Sequence, residues 1–324
     1  FVVAGVMVAL FVGLLLAGIL TTQQDSELLP GAVSETPTDA LTSCPAESTP
    51  DQPGPSDQAR PPGAENVAVA FDRRAGQLMY HAATRGSGIP ETWTLDVCTN
   101  TWALAQRGDG PATDAWFLDA VYDERAETIV TVAGAESAWT FDLPTATWTE
   151  RQVPPFADVG PVRLVHDRGA GRTVALSLEP PVHMWAYDAT GDEWHEVEPA
   201  GPLPYDEYRF HVLVAYDRAV DRLLAYHFGH VALFDEVAGI WETAGTQAPA
   251  FVYGGYESYG GEIVYDEASS RTVLISDGLV IAHDAAAGDW ATLWGEERGE
   301  YVDGGIAVED PVRGPLGGTD HHLA

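Results

Sequence analysis

The sequence contains no lysine. Its 16 basic residues are all arginines, against 49 acidic residues, and the net charge is −33. Nucleic acid is therefore a poor ligand for this chain, because phosphate binding needs clustered cations. An anionic membrane surface would repel the acidic part of the chain for the same reason. The acidity itself reports on solubility rather than on fold.

Cysteine is almost absent, since the chain has only two. A scaffold held together by several disulfides is therefore excluded, as is a zinc site built mainly from cysteine. The usual sequence motifs of nucleotide-binding loops, serine hydrolases and zinc proteases are absent too. The ten histidines are scattered along the chain. We therefore predict no metal, no cofactor and no catalytic residue.

The longest stretch without charged residues lies at the start of the chain and includes residues 1–20, which are almost entirely apolar. About 20 apolar residues is the length that spans a bilayer as a helix. Residues 1–22 are therefore predicted to be a transmembrane helix or signal anchor; the alternative is a cleaved signal peptide, whose apolar core is usually shorter. The flank that follows carries Asp25 and Glu27 and no cation before Arg60. This flank favours an extracytoplasmic location for the rest of the chain.

A linker is predicted over residues 23–65. This stretch holds 8 of the 22 prolines, eight acidic residues and one arginine. Such a composition cannot bury enough apolar surface to offset the entropy of ordering, so we expect an extended, disordered stalk. Outside the cytoplasm, two thiols in one chain usually pair. A disulfide between Cys44 in the stalk and Cys98 is therefore predicted, with two free thiols as the alternative.

A repeat begins after the linker. Five times, a short apolar run ends in an aspartate that is followed six residues later by tryptophan, and these tryptophans lie 46, 46, 47 and 49 residues apart. An earlier apolar run in each repeat ends in a second aspartate. The five tryptophans are Trp102, Trp148, Trp194, Trp241 and Trp290, and the five earlier aspartates are Asp72, Asp123, Asp167, Asp217 and Asp266.

Each repeat has room for four strands. Four-stranded sheets bury their faces by stacking radially, so residues 66–324 are predicted to form an all-β propeller. The recurrent tryptophan is expected to lie between neighbouring blades. An arginine five residues after the earlier aspartate, at Arg172, Arg222 and Arg271, is expected to pair with it across the hairpin. Residues 305–310 resemble the first strand of a sixth blade after five complete repeats. Either the sequence is truncated, or a five-bladed ring closes with a stray strand; we expect truncation, and at both ends, because the chain also begins without methionine.

The repeats resemble kelch repeats. The resemblance lies in two kinds of segment, Val214-Ala-Tyr-Asp and the pattern Trp-x-Leu/Phe/Tyr-Asp-x-x-x-x-x-Trp. They are most similar to the bacterial kind of kelch repeat that is related to the central propeller of galactose oxidase, over residues 67–296 with a trailing start at 303–313. The Gly-Gly pair typical of the family is mostly lost here. The resemblance therefore implies the fold more than the function. No residue of this chain matches the copper ligands of galactose oxidase.

The long connections from one predicted blade to the next are aromatic and acidic. In a propeller they gather on one face around the channel mouth, which suits a carbohydrate, a cation or a basic peptide. The alternative is an ordinary acidic surface. The predicted ligand-binding residues are Asp114, Trp116, Asp158, Glu207, Tyr208, Tyr256, Glu257 and Tyr301. Acids in the turns of the opposite face, such as Glu124 and Glu267, are expected to have no part in binding.

The sequence therefore favours a membrane-anchored, extracytoplasmic binding module for protein or carbohydrate ligands. An enzyme on the same propeller, either a copper oxidase or a polysaccharide-active enzyme, is the main alternative. A purely structural component of the cell envelope is the third hypothesis.

Overall fold

The fold is seen in a computed structural model. The described residues lie between positions 59 and 319. They are 59–61, 63–64, 66–83, 88–115, 117–156, 160–177, 182–199, 203, 212–227, 230–245, 261–267, 269–276, 279–294, 305–308 and 316–319. The predicted anchor at residues 1–22 and most of the predicted linker lie outside these ranges.

Twenty strands form five antiparallel sheets of four strands each, and the strands of each sheet pair in chain order. Blade 1 comprises β1 (Val67–Asp72), β2 (Gln77–Ala83), β3 (Pro90–Asp96) and β4 (Thr101–Arg107). Blade 2 comprises β5 (Leu118–Asp123), β6 (Thr128–Ala133), β7 (Ser137–Asp142) and β8 (Thr147–Arg151). Blade 3 comprises β9 (Val162–Asp167), β10 (Arg172–Ser177), β11 (Met184–Asp188) and β12 (Glu193–Val197).

Blade 4 comprises β13 (Leu213–Asp217), β14 (Arg222–His227), β15 (His230–Asp235) and β16 (Ile240–Ala244). Blade 5 comprises β17 (Gly261–Asp266), β18 (Arg271–Ser276), β19 (Leu279–Asp284) and β20 (Asp289–Trp294). A further two-stranded sheet pairs β21 (Gly305–Val308) with β22 (Leu316–Thr319). The protein is therefore an all-β propeller of five four-stranded blades.

The first strand of each blade is the innermost one, because contacts between blades are concentrated on β1, β5, β9, β13 and β17. β21 contacts β17 of blade 5 and β1 of blade 1. The strand predicted at the start of a sixth blade is therefore present, beside the innermost strands of the last and first blades. It is paired with one further strand among the described residues.

The two faces of the propeller differ in how the chain turns. On one face, here called the hairpin face, the first strand of each blade turns into the second and the third into the fourth. On the other, the loop face, the fourth strand of one blade leads to the first strand of the next. Each described turn of the hairpin face ends in a left-handed residue, such as Gly76 (φ 63°) or Glu127 (φ 51°). That conformation suits the short turns that join twisted antiparallel strands.

The aspartate that ends each innermost strand, here called the strand-end aspartate, is buried in all five blades. Its side chain accepts hydrogen bonds from backbone N–H groups of its own turn. Asp72 Oδ1 accepts from Arg74 and Ala75, at 2.9 and 3.0 Å. Asp217 Oδ1 accepts from Ala219 and Val220. The recurrent aspartate therefore fixes the turn that follows it, as side-chain caps of backbone turns do.

The second oxygen of this aspartate reaches the next blade. Thr173 of blade 3 donates its hydroxyl hydrogen bond to Asp123 Oδ2 of blade 2, at 2.9 Å. Thr272 of blade 5 donates to Asp217 Oδ2 of blade 4, at 2.7 Å. His166 of blade 3 also lies against Asp123, with 3.6 Å between Nδ1 and Oδ2. One buried carboxylate thus joins a turn to the neighbouring blade.

Trp148, one of the recurrent tryptophans, packs between blades, as predicted. Trp148 of blade 2 donates from Nε1 to Thr92 Oγ1 of blade 1, at 2.8 Å, and its ring lies 4.8 Å from that of His81. His81 in turn contacts Thr92 Oγ1 and the carbonyl oxygen of Pro111. Burial lowers the pKa of His81 to about 4, so the ring is neutral at neutral pH. In a neutral ring, Nδ1 accepts from Thr92 and Nε2–H donates to Pro111.

The arginines predicted to brace the inner hairpins do so in one blade of the three. Arg172 lies 3.4 Å from Asp167, between Nε and Oδ2. Arg222 instead pairs with Asp235, the last residue of β15 in its own blade. Arg271 pairs in the same way with Asp284 at the end of β19. The hairpin prediction is therefore wrong for these two, because the long side chain crosses to the third strand of its own sheet.

Replacing a strand-end aspartate is expected to destabilise the whole propeller. Asp217→Ala leaves two turn N–H groups and the Thr272 hydroxyl without their acceptor in a fully buried place. We expect a loss of about 3–5 kcal/mol in the free energy of unfolding, measured by urea denaturation.

Asp235→Ala is the matched control. Asp235 also accepts two turn N–H bonds, from Val237 and Ala238, but in an exposed outer turn where water replaces the lost acceptor. We expect that variant to lose about 0.5–1 kcal/mol. Equal losses in the two variants would show that the link between blades contributes nothing.

Candidate functional site

The predicted ligand-binding residues belong to the connections on the loop face. Of these residues the structure describes Asp114, which is exposed in the segment between β4 and β5. The others lie outside the described residues: Trp116, Asp158, Glu207, Tyr208, Tyr256, Glu257 and Tyr301. Their gathering around one channel mouth stays a prediction.

The channel below the loop face is crossed by three charged side chains from three blades. Arg163 of β9 lies 3.3 Å from Glu262 of β17, between Nη2 and Oε1. Its other terminal nitrogen lies 3.6 Å from Asp119 Oδ1 of β5. Asp119 also accepts a hydrogen bond from the N–H of Leu164 at 2.6 Å. We call Asp119, Arg163 and Glu262 the channel trio.

Enclosure in the channel shifts the ionisation of both carboxyl groups. Burial raises the pKa of Glu262 to about 7, with Asp119 adding to the rise and Arg163 opposing it. Burial also raises the pKa of Asp119, again opposed by Arg163. The charge of Glu262 raises the pKa of Arg163, which keeps its charge. Near neutral pH the ionisation of Glu262 therefore changes the charge of the channel trio by one unit.

The hairpin face carries a closed ring of four ion-paired side chains, here called the charged ring. Arg73 pairs with Glu124 (Nε–Oε1 3.6 Å) and with Glu267 (Nη1–Oε1 2.9 Å). Arg218 pairs with the same two glutamates, at 2.6 Å between Nη2 and Glu124 Oε1. Arg168 contacts the second oxygen of Glu124 at 3.2 Å. Side chains of blades 1, 2, 4 and 5 therefore meet directly at this end of the channel.

The charged ring was missed by the sequence analysis, although its signal is present in the sequence. Each of its residues directly follows a strand-end aspartate, as does Arg168. Equal offsets from a radially repeated strand place side chains at equal depth around the axis. The side chains of Arg73 and Arg218 are only 12% exposed. Salt therefore screens these pairs much less than pairs on the open surface. That Glu124 and Glu267 have no part in binding stays a prediction, but they do join blades.

Ion-paired side chains from different blades thus meet at two levels of the channel. A ligand on the axis meets the charged ring on one face and the channel trio on the other. The charged ring is internally paired, whereas the channel trio carries two carboxyl groups for one guanidinium. The two ends of the channel therefore offer different chemistry, and the loop-face end is the more acidic.

The aromatic side chains that the structure describes are used in packing, and none of them is among its exposed large hydrophobic residues. Phe156, for example, is fully buried against Trp185 and Trp194. Aromatic stacking on a ligand would therefore have to come from the predicted loop residues outside the described ranges.

Three further predictions, on the disulfide, on metal binding and on the membrane helix, concern residues that the structure describes only in part. Cys98 is disulfide-bonded and buried; its predicted partner, Cys44, lies outside the described residues, so the pairing stays a prediction. Within the described ranges, no three His, Cys, Asp or Glu side chains are grouped as a metal site requires. A search of the same ranges for a helix long and apolar enough to cross a membrane finds none.

Glu262 is expected to make stability depend on pH. Its pKa in the folded protein lies above its ordinary value of 4.5, so the folded state binds the proton more tightly than the unfolded chain. The stabilisation is fully present below about pH 4.5 and is lost as the pH rises through about 7. We expect Glu262→Gln to remove this loss, on the order of 1–3 kcal/mol in the free energy of unfolding.

The measurement is urea denaturation at intervals from pH 4.5 to 8. Glu242→Gln, at an exposed ion pair with Arg222, serves as the control and should keep the pH profile of the unmodified protein. A Glu262→Gln profile that follows the unmodified protein would contradict the raised pKa.

Comparison with known proteins extends to the fold only. No protein-family model matches the chain, and no curated protein matches it. A solved structure of a protein of unknown function from Bacteroides thetaiotaomicron VPI-5482 matches with a TM-score of 0.53 and 10% identity, over 81% of this chain and 69% of that one. A chain from a nidogen/laminin complex matches with a TM-score of 0.49 and 10% identity, over 74% and 82% of the two chains. At this identity the similarity shows the propeller fold alone.

Proposed function

We propose that this protein is a membrane-anchored, extracytoplasmic binding module. In this proposal a kelch-like propeller presents its loop face to a protein or carbohydrate ligand. The propeller fold is in general suited to protein interaction, because a rigid scaffold holds its loops at one face. Residues 1–22 anchor the chain, residues 23–65 hold the propeller away from the membrane, and a Cys44–Cys98 disulfide fastens this stalk to blade 1.

The observation that carries the choice of face is the charged ring. On the hairpin face, ion-paired side chains from blades 1, 2, 4 and 5 fill the centre, and the turns around them are short. The loop face has the long connections instead, and in the sequence these carry eleven acidic residues and two arginines. The channel trio below them adds two carboxyl groups. Together these acids attract a ligand with a cationic surface and steer its approach.

The topology part of the proposal is tested on intact cells. We expect added protease to cut the stalk and release a soluble propeller, because residues 23–65 are rich in proline and polar residues and offer exposed chain. Immunoblotting of the supernatant and the cell pellet measures the release. A propeller that stays protected until the cells are lysed would contradict the extracytoplasmic location.

The binding part is tested with two kinds of probe, immobilised oligosaccharides and immobilised peptides rich in Lys and Arg. We expect the full chain in lipid nanodiscs to retain one of these probes. The double variant Asp114→Ala with Glu257→Ala should weaken that binding at least tenfold, by removing acids of the loop face. Glu127→Gln, an exposed acid of the hairpin face paired with Arg74, is the matched control and should bind as the unmodified protein does.

Two outcomes would contradict the binding proposal. Equal weakening by the loop-face and hairpin-face variants would show general charge attraction rather than a site. Stoichiometric copper in metal analysis of the purified protein, or hydrolysis of a probe oligosaccharide, would favour the alternative of an enzyme on the same propeller.

A further inference from the structure

The strand-end aspartate of blade 3 lacks a contact that its counterparts in blades 2 and 4 have. Asp123 Oδ2 and Asp217 Oδ2 each accept a threonine hydroxyl from the next blade. The corresponding residue of blade 4, which faces Asp167, is Leu223 and has no donor. Asp167 is 1% exposed, and its Oδ2 has no hydrogen-bond donor among the described residues. A buried acceptor left in this state costs free energy.

A second carboxyl group lies beside the side chain of Asp167. Glu236, the first residue after β15 in blade 4, lies within hydrogen-bonding reach of Asp167. Arg172 lies between them, with Nε 3.4 Å from Asp167 Oδ2 and Nη2 3.4 Å from Glu236 Oε1. Blade 4 alone has an acid at this position; the other four blades have Val97, Leu143, Ala189 and Ala285. The junction between blades 3 and 4 is therefore chemically distinct.

The arrangement has two carboxyl groups for one guanidinium. If both were ionised, one negative charge would be uncompensated beside a buried aspartate, at a high cost. One proton removes that charge and supplies the missing donor, because a protonated Glu236 donates its O–H to Asp167 Oδ2. We propose that Asp167 and Glu236 share a single proton, which fastens blade 4 to blade 3 and makes their junction sensitive to pH.

The other ionisable groups around Asp167 and Glu236 either add negative charge, which favours binding of the proton, or are neutral. Tyr216 of blade 4 donates its hydroxyl to Asp221 and accepts from the N–H of Gly169. Burial raises the pKa of Tyr216 above its ordinary value, so it stays neutral. Asp221 adds a negative charge on this side of the junction. Arg222, which directly follows Asp221, forms ion pairs with Asp235 and Glu242.

The pKa of Glu236 agrees with a proton held between the two carboxyl groups. Its hydrogen bond to Asp167, its burial and the charge of Asp167 raise the pKa of Glu236 to about 7, and Arg172 opposes the rise. Because the pKa is raised in the folded state, the stabilisation is fully present below the ordinary value of 4.5. It is lost as the pH rises through about 7. The junction between blades 3 and 4 is thus tightest in acid and loosens above neutral pH.

The experiment is a pH titration of the Glu side-chain carboxyl carbons by ¹³C NMR, in the Glu262→Gln background so that a second group titrating near pH 7 is removed. We expect one carboxyl signal with a midpoint near 7, instead of about 4.5. That signal should disappear in Glu236→Gln/Glu262→Gln and persist in Glu242→Gln/Glu262→Gln.

Urea denaturation of the same variants gives a second readout. Glutamine at position 236 donates to Asp167 at every pH, so Glu236→Gln/Glu262→Gln should lose less stability between pH 6 and 8 than the Glu242→Gln/Glu262→Gln control. A Glu236 signal that titrates in the ordinary acidic range would overturn the proposal. So would a Glu236→Gln/Glu262→Gln variant whose stability falls with pH as steeply as that of the control.

Discussion

The buried aspartate at the end of each innermost strand links the local and the global structure of this propeller. One of its oxygens holds the backbone of its own turn, and in blades 2 and 4 the other holds a threonine of the next blade. Turn geometry and blade packing therefore depend on the same carboxylate. The recurrent tryptophans add apolar contact between the blades, and the aspartates of blades 2 and 4 add a buried hydrogen bond to the next blade near the channel.

The positions of the charged side chains in the channel follow from the repeat of the strand-end aspartates around the axis. Because the strand-end aspartates lie at equal depth, the residues that come directly after them meet around the axis and form the charged ring. Residues four positions before them include all three members of the channel trio. A protein with a net charge of −33 thus places several of its few arginines where they neutralise acids inside the ring of blades. The acids of the loop face have fewer arginines near them in the sequence, which is why we assign binding to that face.

The period of the sequence was enough to predict the blades, their four strands and the position of Trp148, because repeated spacing reports repeated packing. The buried role of the strand-end aspartates and the charged ring was not predicted. Both depend on which blades face each other across the channel, and Arg218 meets Glu124 from 94 residues away. The pairing of Arg222 and Arg271 was mispredicted, because sequence spacing does not tell which neighbouring strand a long side chain crosses to. The predicted loop-face residues other than Asp114 lie outside the described part of the chain.

The claim that strand-end aspartates couple blade 2 to blade 3 and blade 4 to blade 5 is tested most directly by native-state hydrogen exchange. The amides to follow are the turn N–H groups held by these aspartates, at Ala126 and Ala170 for the first pair of blades and at Val220 and Ser269 for the second. If the blades are coupled, the two amides of each pair exchange with one shared free energy, while the outer-turn amide of Ala238 exchanges by local opening. Different free energies within a pair would show that its two blades open separately and would contradict the account.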